Sequence, residues 1–236
     1  GPGLFPYFSP ADRTRVHCGP HTTGLRQHPG WSPETRRMGT LTYIKTLIKD
    51  PAVASITPSS RFAVQRVCSF IDFRRAALLV EYGPGLGVFT QYLLGRMGPQ
   101  GRLIAIENNP RFAEHLGHRL HDPRLQVVTG SAEEIGDLVE ARSADYVISG
   151  IPFSLLAARV KERILHGTAL ALKEEGRFLT YQAFPPPASL DSYLRKPMER
   201  HFDLIGTAYE LRNVPPLRIY ASRPRSLPLP GAIGDP

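Results

Sequence analysis

Short apolar runs alternate regularly with amphipathic segments between residues 77 and 183. The apolar runs predict strands at 77–82, 102–107, 125–129, 145–149 and 176–183, and the segments between them predict helices at 88–96, 110–119, 132–139 and 155–166. Strands that alternate with helices are joined by right-handed crossovers and form a parallel sheet that is covered on both faces. The chain is therefore expected to be an α/β protein.

Three prolines at 185–187 end this alternation. A helix is predicted at 189–202, followed by two strands at 204–211 and 217–222. Two more helices are predicted before the alternating region, at 41–50 and from residue 59 or 60 to about 73. Because the last two strands are joined by a short connection, they are expected to form an antiparallel hairpin. The expected architecture is a seven-stranded, mostly parallel sheet that ends in this hairpin, with helices on both faces.

The two ends of the chain differ in composition from its centre. Residues 1–37 contain Pro and Gly at short intervals with scattered Arg and His, and we expect a disordered basic leader there. Residues 38–223 are expected to form the folded domain, with its amino-terminal helices as a cap, and residues 224–236 a flexible tail. Only two cysteines are present, which favours a reducing compartment over a disulfide framework.

The balance of charge suggests the kind of partner. The chain carries 29 Lys and Arg against 21 Asp and Glu, a formal net charge of +8. Such an excess favours a polyanionic partner, which could be nucleic acid or an anionic membrane surface. No run of about 20 apolar residues predicts a transmembrane segment, and no histidine or cysteine spacing matches a metal site, so we expect no metal.

A glycine-rich turn joins the first strand of the alternation to the helix that follows it. Residues 81–87 read E-Y-G-P-G-L-G. Ligands of open α/β sheets bind at the carboxyl ends of strands, where glycines let the backbone approach the ligand closely. A dinucleotide fingerprint requires a further glycine five positions after its first, and that position is Val88 or Thr90 here. The turn therefore predicts a ligand site, and the spacing excludes the dinucleotide motif.

This glycine pattern, followed by an acidic residue at the end of the next strand, resembles motifs I and II of class I S-adenosylmethionine-dependent methyltransferases. The resemblance implies a Rossmann-like fold and S-adenosyl-L-methionine as cofactor. It assigns Gly83, Gly85 and Gly87 to the methionine end of the cofactor and Glu107 to the ribose. Glu81 is expected either to order the turn or to receive the cofactor's ammonium group.

The remaining cofactor-side candidates follow the strands of the same sheet: Asn108, Ser131, Ala132 and Ser149. Many relatives have an Asp after the third strand to bind adenine, whereas this chain reads G-S-A at 130–132. Ser131 or a backbone group would have to replace that carboxylate.

The fourth predicted strand ends in S-G-I-P-F at 149–153, which is similar to the N-[LIV]-P-[FY] signature of methyltransferases that act on adenine amino groups. This similarity makes Gly150, Ile151, Pro152 and Phe153 the substrate-binding candidates. Glycine replaces the Asn of that signature, so the chain lacks the amide that would hold a planar exocyclic amine.

Several segments together resemble bacterial phospholipid N-methyltransferases over about residues 40–223: K-D-P at 49–51, P-S-S at 58–60, the glycine turn, S-G-I-P at 149–152, residues 176–182 and N-V-P-P at 213–216. The resemblance implies stepwise methylation of the headgroup amine of phosphatidylethanolamine or a related aminolipid. It also implies a cytoplasmic enzyme that associates peripherally with the inner face of the membrane. Helix 41–50 could lie on that surface or cap the cofactor site.

Two tyrosines and two arginines complete the acceptor-side predictions. Tyr181 and Tyr43 are the candidate catalytic residues, able to help deprotonate the amine or to attract it as a cation through the ring, or else to serve in packing. Arg212 and Arg218 either meet the lipid phosphate or are simply solvated. The alternatives are an RNA adenine methyltransferase of the ribosomal RNA dimethylase type, and a cofactor-binding module without activity.

Overall fold

The computed structural model of the protein describes residues 60–183, 190–213 and 215–225. The predicted leader, the helix at 41–50 with Tyr43, and the predicted tail beyond residue 225 lie outside these residues. None of the helices in the described ranges has the length and apolar character needed to cross a bilayer.

Seven strands form one sheet with the order β3-β2-β1-β4-β5-β7-β6. The strands are β1 (Leu78–Tyr82), β2 (Arg102–Glu107), β3 (Leu125–Thr129), β4 (Ala144–Ser149), β5 (Leu172–Ala183), β6 (Phe202–Glu210) and β7 (Leu217–Pro224). Strands β1 to β5 pair in parallel, and β7 pairs antiparallel with both β5 and β6. This confirms the predicted mostly parallel sheet with its carboxyl-terminal hairpin.

Helices cover both faces of the sheet. Within the described residues they are α1 (Arg61–Cys68), α2 (Val88–Leu94), α3 (Pro110–Arg119), α4 (Ile135–Leu138), α5 (Ala158–Ala171) and α6 (Leu190–Met198), with short 3-10 turns at Ala132–Glu134 and Phe153–Leu155. Ser60 begins α1 as its N-cap, since its hydroxyl accepts from the N–H of Ala63. Asn109 caps α3 in the same way, ahead of the proline at the first helical position.

The core consists of two apolar layers, one on each face of the sheet. We call them the α5 face, which contains Tyr82, Phe178 and Leu165, and the α2 face, which contains Leu79, Ile148 and Leu93. Helices α4, α5 and α6 pack on the first face, and α1 and α2 pack on the second. Side chains therefore alternate between two buried surfaces along each central strand, as expected for a parallel sheet covered on both sides.

Strand β5 begins at Leu172, four residues earlier than predicted. Its pairing with β4 shifts register between Ala144 and Tyr146, and Gly176 lies opposite this irregularity. A Cβ at Gly176 would come within 2.9 Å of the carbonyl oxygens of Ala144 and Lys173, so a glycine is needed there. The prediction treated Gly176 as the start of the strand, whereas it permits a bulge inside it.

Five predicted helices also differ in their limits. Helix α2 ends at Leu94 instead of residue 96, and α6 ends at Met198 instead of residue 202, which is the first residue of β6. The segment predicted as one helix at 132–139 forms a 3-10 turn and then α4, and the segment predicted at 155–166 forms a 3-10 turn and then α5, which continues to Ala171. Helix α1 ends at Cys68 instead of near residue 73. Strand β7 extends to Pro224, one residue into the predicted tail.

Ligand-binding elements converge at the carboxyl edge of the parallel strands. The glycine turn follows β1, Glu107 ends β2, and residues 150–153 follow β4. Because β7 runs antiparallel to β5, with Ala183 opposite Leu217, the connection between β6 and β7 lies at this same edge. The sheet topology thus gathers the predicted cofactor and acceptor segments on one side of the molecule.

Candidate active site

The glycine turn adopts a backbone that other residues rarely tolerate. Gly83, Gly85 and Gly87 have φ values of 66°, 53° and 76°. A Cβ on Gly87, which is the N-cap of α2, would overlap the Cδ1 of Leu116 in α3. The turn is fastened at its start, where the N–H of Gly83 donates to the carbonyl of Ile106 at 2.9 Å. Glycine is therefore required for backbone conformation and for helix packing.

Glu107 connects the end of β2 to the glycine turn. Its Oε2 accepts from the N–H of Gly85 at 3.0 Å, and its Oε1 accepts from the N–H of Asn109 at 2.9 Å. Burial raises the pKa of the Glu107 carboxyl, and these backbone donors oppose the rise. Since a carboxylate has about four acceptor positions, each oxygen keeps capacity for another donor.

Glu81 is buried on β1, immediately before the turn. The hydroxyl of Thr90 in α2 donates to its Oε2 at 2.7 Å, which ties the strand to the helix across the turn. Desolvation raises the pKa of Glu81 to about 8, and the charge of Glu107 adds to the rise, although the Thr90 bond lowers it. The site thus contains two buried carboxyl groups, of which Glu81 carries its proton at neutral pH.

The segment after β3 forms a compact cap. The hydroxyl of Ser131 accepts from the N–H of Glu133 at 3.2 Å, and Glu134 reaches back to the N–H of Ser131 at 3.3 Å. Ala132 is buried, whereas Asn108, which follows Glu107, is exposed. Two of the four remaining cofactor-side candidates, Ser131 and Ala132, thus belong to a rigid helix start.

Gly150 lies directly against Tyr181. A Cβ at position 150 would come within 2.6 Å of the Tyr181 hydroxyl oxygen and 3.8 Å of the Gly83 carbonyl oxygen. The ring of Tyr181 stacks on Phe89 of α2, with the ring centroids 5.0 Å apart and an interplanar angle of 15°. The tyrosine hydroxyl therefore occupies the space that a side chain at position 150 would need, beside the glycine turn.

Other residues after β4 are less accessible than the sequence suggested. Ser149 is fully buried, and its hydroxyl accepts from the N–H of Ile151 at 3.4 Å. The ring of Phe153 is 2% exposed and packs edge-to-face on Phe178, with the ring centroids 6.4 Å apart. Phe153 was expected at the acceptor surface, but in the structure its ring belongs to the core of the α5 face. Pro152 and Ile151 are half-buried.

The connection between β6 and β7 holds the two predicted arginines in different ways. Arg212 donates to both oxygens of Glu210, each at 2.8 Å, and lies over the ring of Phe62. This pairing lowers the pKa of Glu210 to about 2. Arg218, on β7, donates through Nη1 to the hydroxyl of Tyr220 at 3.2 Å.

The P-S-S and N-V-P-P segments are joined in the structure. The N–H of Ser60 donates to Oδ1 of Asn213 at 3.0 Å, and Nδ2 of Asn213 donates to the carbonyl of Pro215 at 2.7 Å. Asn213 is buried. This residue therefore fixes the start of α1 to the β6–β7 connection, although the two residues are 153 positions apart.

Sequence reasoning missed three residues of this region. Phe89 and Thr90 contact Tyr181 and Glu81, and their only sequence signal is that they follow the glycine turn at the start of α2. Gln182 on β5 lies next to Tyr181 and pairs with Arg218 across the strands. Its position was inside a predicted strand, where nothing marked it as part of a site.

Two solved structures that share this architecture are methyltransferases. A TehB-like S-adenosylmethionine-dependent methyltransferase from Corynebacterium glutamicum matches with a TM-score of 0.57 and 14% identity, over 78% of this chain and 97% of that one. The 1,6-didemethyltoxoflavin-N1-methyltransferase of Burkholderia thailandensis, solved with S-adenosylhomocysteine, matches with a TM-score of 0.58 and 16% identity, over 79% of this chain and 87% of that one. At these identities the matches show the fold.

The sequence also matches curated methyltransferases. An ornithine lipid N-methyltransferase from Singulisphaera acidiphila is 28% identical over 176 residues, which cover 73% of this chain and 88% of that protein. The sheet has the fold of class I methyltransferases, and with this match the chain is an S-adenosylmethionine-dependent methyltransferase.

Among individual proteins, the similarity to the ornithine lipid enzyme extends over most of the domain. A ribosomal RNA small subunit methyltransferase H from Shewanella denitrificans is 34% identical over only 71 residues, 30% of this chain and 23% of that protein. No family model matches the chain.

Proposed function

We propose that the protein transfers methyl groups from S-adenosylmethionine to the headgroup amine of a lipid, either phosphatidylethanolamine or a related aminolipid. The observation that carries this proposal is the contact between Gly150 and Tyr181. Position 150 has no amide to hold a planar base, and a tyrosine hydroxyl and ring fill the space instead. This arrangement suits a small, tetrahedral, cationic amine, which a tyrosine binds through its oxygen or its ring face. The match to an ornithine lipid N-methyltransferase supports it.

The cofactor-side residues fit S-adenosylmethionine. In this proposal Glu107 accepts hydrogen bonds from the ribose hydroxyls with the acceptor capacity that its bonds to Gly85 and Asn109 leave. Gly83, Gly85 and Gly87 border the methionine end through their backbone, where side chains would obstruct it.

Glu81 and the residues after the other strands complete the proposed cofactor site. The Glu81 carboxyl would pair with the ammonium group of the cofactor and would release its proton to water, because the new cation would offset the desolvation that raised its pKa. Asn108, Ser131, Ala132 and Ser149 line the adenosine side. Ser131 already caps a helix, so adenine is bound chiefly by backbone groups and packing.

Catalysis in this site consists mainly of placing the amine. S-adenosylmethionine, when bound, supplies an electrophilic methyl group on a sulfonium. An alkyl amine with a pKa of about 10, like that of Lys, must first lose a proton, which passes to bulk water. We assign to the Tyr181 hydroxyl oxygen the role of accepting an N–H of the neutral amine, which directs the nitrogen lone pair toward the glycine turn. Tyr43 remains a second predicted catalytic residue.

Features at the carboxyl edge support a membrane surface as the place of reaction. Leu155 and Leu211 lie in the connections at this edge and are 66% and 68% exposed. Arg212 and Arg218 flank the β6–β7 connection, and the chain carries a net charge of +8. Exposed leucines next to arginines favour an anionic lipid surface, where each nearby cation contributes about 1 kcal/mol. We therefore propose that the enzyme binds the membrane peripherally through this edge.

Radiolabelled methyl transfer tests the proposal. The protein is incubated with methyl-labelled S-adenosylmethionine and either vesicles of phosphatidylethanolamine in phosphatidylglycerol, vesicles of an ornithine lipid, or total RNA. Label should enter an aminolipid, and transfer should decrease as salt screens the vesicle surface. The Gly85→Val variant serves as the inactive control. Label in RNA with none in either lipid would contradict the proposal.

RNA methylation is the second candidate function. It is favoured by the basic charge and by the local match to a ribosomal RNA methyltransferase. The contact between Gly150 and Tyr181 speaks against a base-specific clamp of the kind the adenine signature uses. The RNA arm of the same experiment decides between the two functions.

A further inference from the structure

A row of polar side chains crosses the last three strands near the carboxyl edge. Gln182 on β5 is directly opposite Arg218 on β7, and Arg218 is directly opposite Tyr209 on β6. Opposed residues in an antiparallel pair have Cβ atoms about 4.5–5.5 Å apart on the same face. Every second residue of a strand points to the same face, and Phe178 and Tyr220 lie on the α5 face. Gln182, Arg218 and the opposed Tyr209 therefore lie on the α5 face too, whereas Tyr181 lies on the α2 face.

Gln182 contains a buried donor that the described residues leave unsatisfied. Its Nε2 is buried and has no hydrogen-bond partner there. The hydroxyl of Thr180, two residues earlier on the same face, is in the same condition. Buried polar atoms are nearly always paired, because an unpaired one reduces stability. Such an amide nitrogen indicates a place where an acceptor atom from outside the chain would bind.

Arg218 is oriented by two aromatic residues. Its Nη1 donates to the hydroxyl of Tyr220 at 3.2 Å, and its guanidinium lies over the ring of Tyr209 at 5.5 Å from the centroid. These contacts fix the position of the guanidinium, and the strand register places Arg218 opposite Gln182 on the same face.

We propose that Gln182 and Arg218 form a binding site for the oxyanion of the lipid headgroup. This inference rests on the proposed function and adds the substrate's second charged group to it. A cation with an adjacent amide donor binds a phosphate diester or a carboxylate equally well, because both offer charged oxygen acceptors. Phosphatidylethanolamine would supply the phosphate, and an ornithine lipid would supply the carboxylate of its amino acid.

The anion site and the amine site share one strand. Gln182 follows Tyr181 directly, and consecutive Cα atoms are about 3.8 Å apart. Their side chains point to opposite faces of β5, so the two sites lie on either side of its carboxyl end. The headgroup would therefore pass over the end of β5, with its anion at Gln182 and Arg218 and its amine beside Tyr181.

Steady-state kinetics on vesicles test the site. Gln182→Leu and Arg218→Met should each raise the KM for the aminolipid about tenfold or more, the usual value of a charged hydrogen bond, while kcat changes less than about twofold. Arg223→Met is the matched control for lost surface charge, because this exposed arginine lies on the same strand at the opposite edge. Unchanged KM values in both site variants, or an equal change in the control, would overturn the inference.

Binding of soluble headgroups tests the site independently of methyl transfer. Glycerophosphoethanolamine or ornithine should raise the melting temperature of the wild-type protein at constant ionic strength, and ethanolamine, which has no anion, should not. Whichever compound stabilises the protein identifies phosphate or carboxylate as the ligand. Both site variants should lose this shift. The Gln182→Leu protein should nevertheless be as stable as the wild type without ligand, because the substitution removes an unpaired amide. If neither compound shifts the wild-type protein, the site is refuted even where lipid methylation occurs.

Discussion

The two halves of the carboxyl edge are built differently. The cofactor half, around β1 and β2, is shaped by backbone: three glycines with positive φ, fastened by the buried carboxyl groups of Glu81 and Glu107. The acceptor half, around β4, β5 and β7, is shaped by side chains that come from distant parts of the sequence. Changes in the first half should therefore act on cofactor binding, and changes in the second half on the acceptor.

The largest expected effect is in the cofactor half. Gly85→Val places a β-branched side chain at a φ of 53° and disturbs the hydrogen bond that the N–H of residue 85 donates to Glu107. Calorimetry should show that affinity for S-adenosylhomocysteine falls about 100-fold or more. Gly98→Val is the matched control, since a Cβ at Gly98 meets nothing within 4 Å. Native-like affinity in a folded Gly85→Val protein would mean that the cofactor binds elsewhere.

Tyr181→Phe should have the next largest effect, and it should spare the cofactor half. Loss of the hydroxyl that receives the amine N–H is expected to lower kcat about 10- to 100-fold. Affinity for S-adenosylhomocysteine should stay within about twofold. Tyr92→Phe, on the α2 surface, controls for the loss of a hydroxyl at another site. A fall in cofactor affinity with kcat unchanged would place Tyr181 in cofactor binding and would contradict its assignment to the acceptor half.

The contact between Gly150 and Tyr181 makes a related prediction. Gly150→Ala brings a methyl group within 2.6 Å of the Tyr181 hydroxyl and should displace the ring. In the double variant Gly150→Ala/Tyr181→Phe the hydroxyl is absent, so the alanine meets only the ring carbon Cζ, at 3.2 Å, which is a milder contact. Melting temperatures of the four proteins should therefore be non-additive, with Gly150→Ala costing less in the Phe background. Strict additivity would contradict the close contact.

Glu81 should give the cofactor half a characteristic pH dependence. Its pKa is raised from the ordinary 4.5 to about 8 by burial, so between these values the folded state holds a proton that the unfolded state has lost. The free energy of unfolding should then fall as pH rises through this window, by up to about 1.4 kcal/mol per pH unit, and level off above pH 8. Denaturant titrations should show this component in the wild-type protein and not in Glu81→Gln, whose amide still accepts from Thr90. Identical pH profiles would show that Glu81 is ionised in the folded protein.

The smallest expected effect concerns the junction between α1 and the β6–β7 connection. Asn213→Ala leaves the N–H of Ser60 and the carbonyl of Pro215 without their partner. We expect a loss of about 1–3 kcal/mol in the free energy of unfolding, measured by urea titration, with S-adenosylhomocysteine affinity retained. Asn108→Ala, an exposed residue in the cofactor half, is the comparison. Equal free energies of unfolding for Asn213→Ala and wild type would show that this junction does not stabilise the fold.

Local signals predicted the cofactor half more fully than the acceptor half. Strands β2 and β3 and helix α3 have the predicted limits, because periodicity, Pro110 and the Asn109 cap are all encoded within a few residues. The spacing of the three glycines likewise predicts the turn directly. The bonds of Glu107 to Gly85 and of Glu81 to Thr90 follow from elements that are adjacent in the chain.

Long-range contacts explain what the sequence could not provide. Gly150 and Tyr181 were both singled out, but their contact depends on the register of β4 against β5, which a bulge shifts. The bond between Ser60 and Asn213 joins the two ends of the domain. Phe153 matched an aromatic motif position, yet the turn that carries it directs the ring into the core. No nearby residue signals any of these outcomes.

The most direct test of the account is calorimetric titration of S-adenosylhomocysteine into wild-type protein and Glu107→Gln. The amide keeps one acceptor oxygen but replaces the other with a donor, which can receive neither a ribose hydroxyl nor the backbone N–H that this oxygen accepts in the wild-type protein. The account predicts that affinity falls about 10- to 100-fold in Glu107→Gln and is unchanged in Tyr181→Phe. Equal affinities in wild-type and Glu107→Gln protein would contradict the placement of the cofactor at the glycine turn.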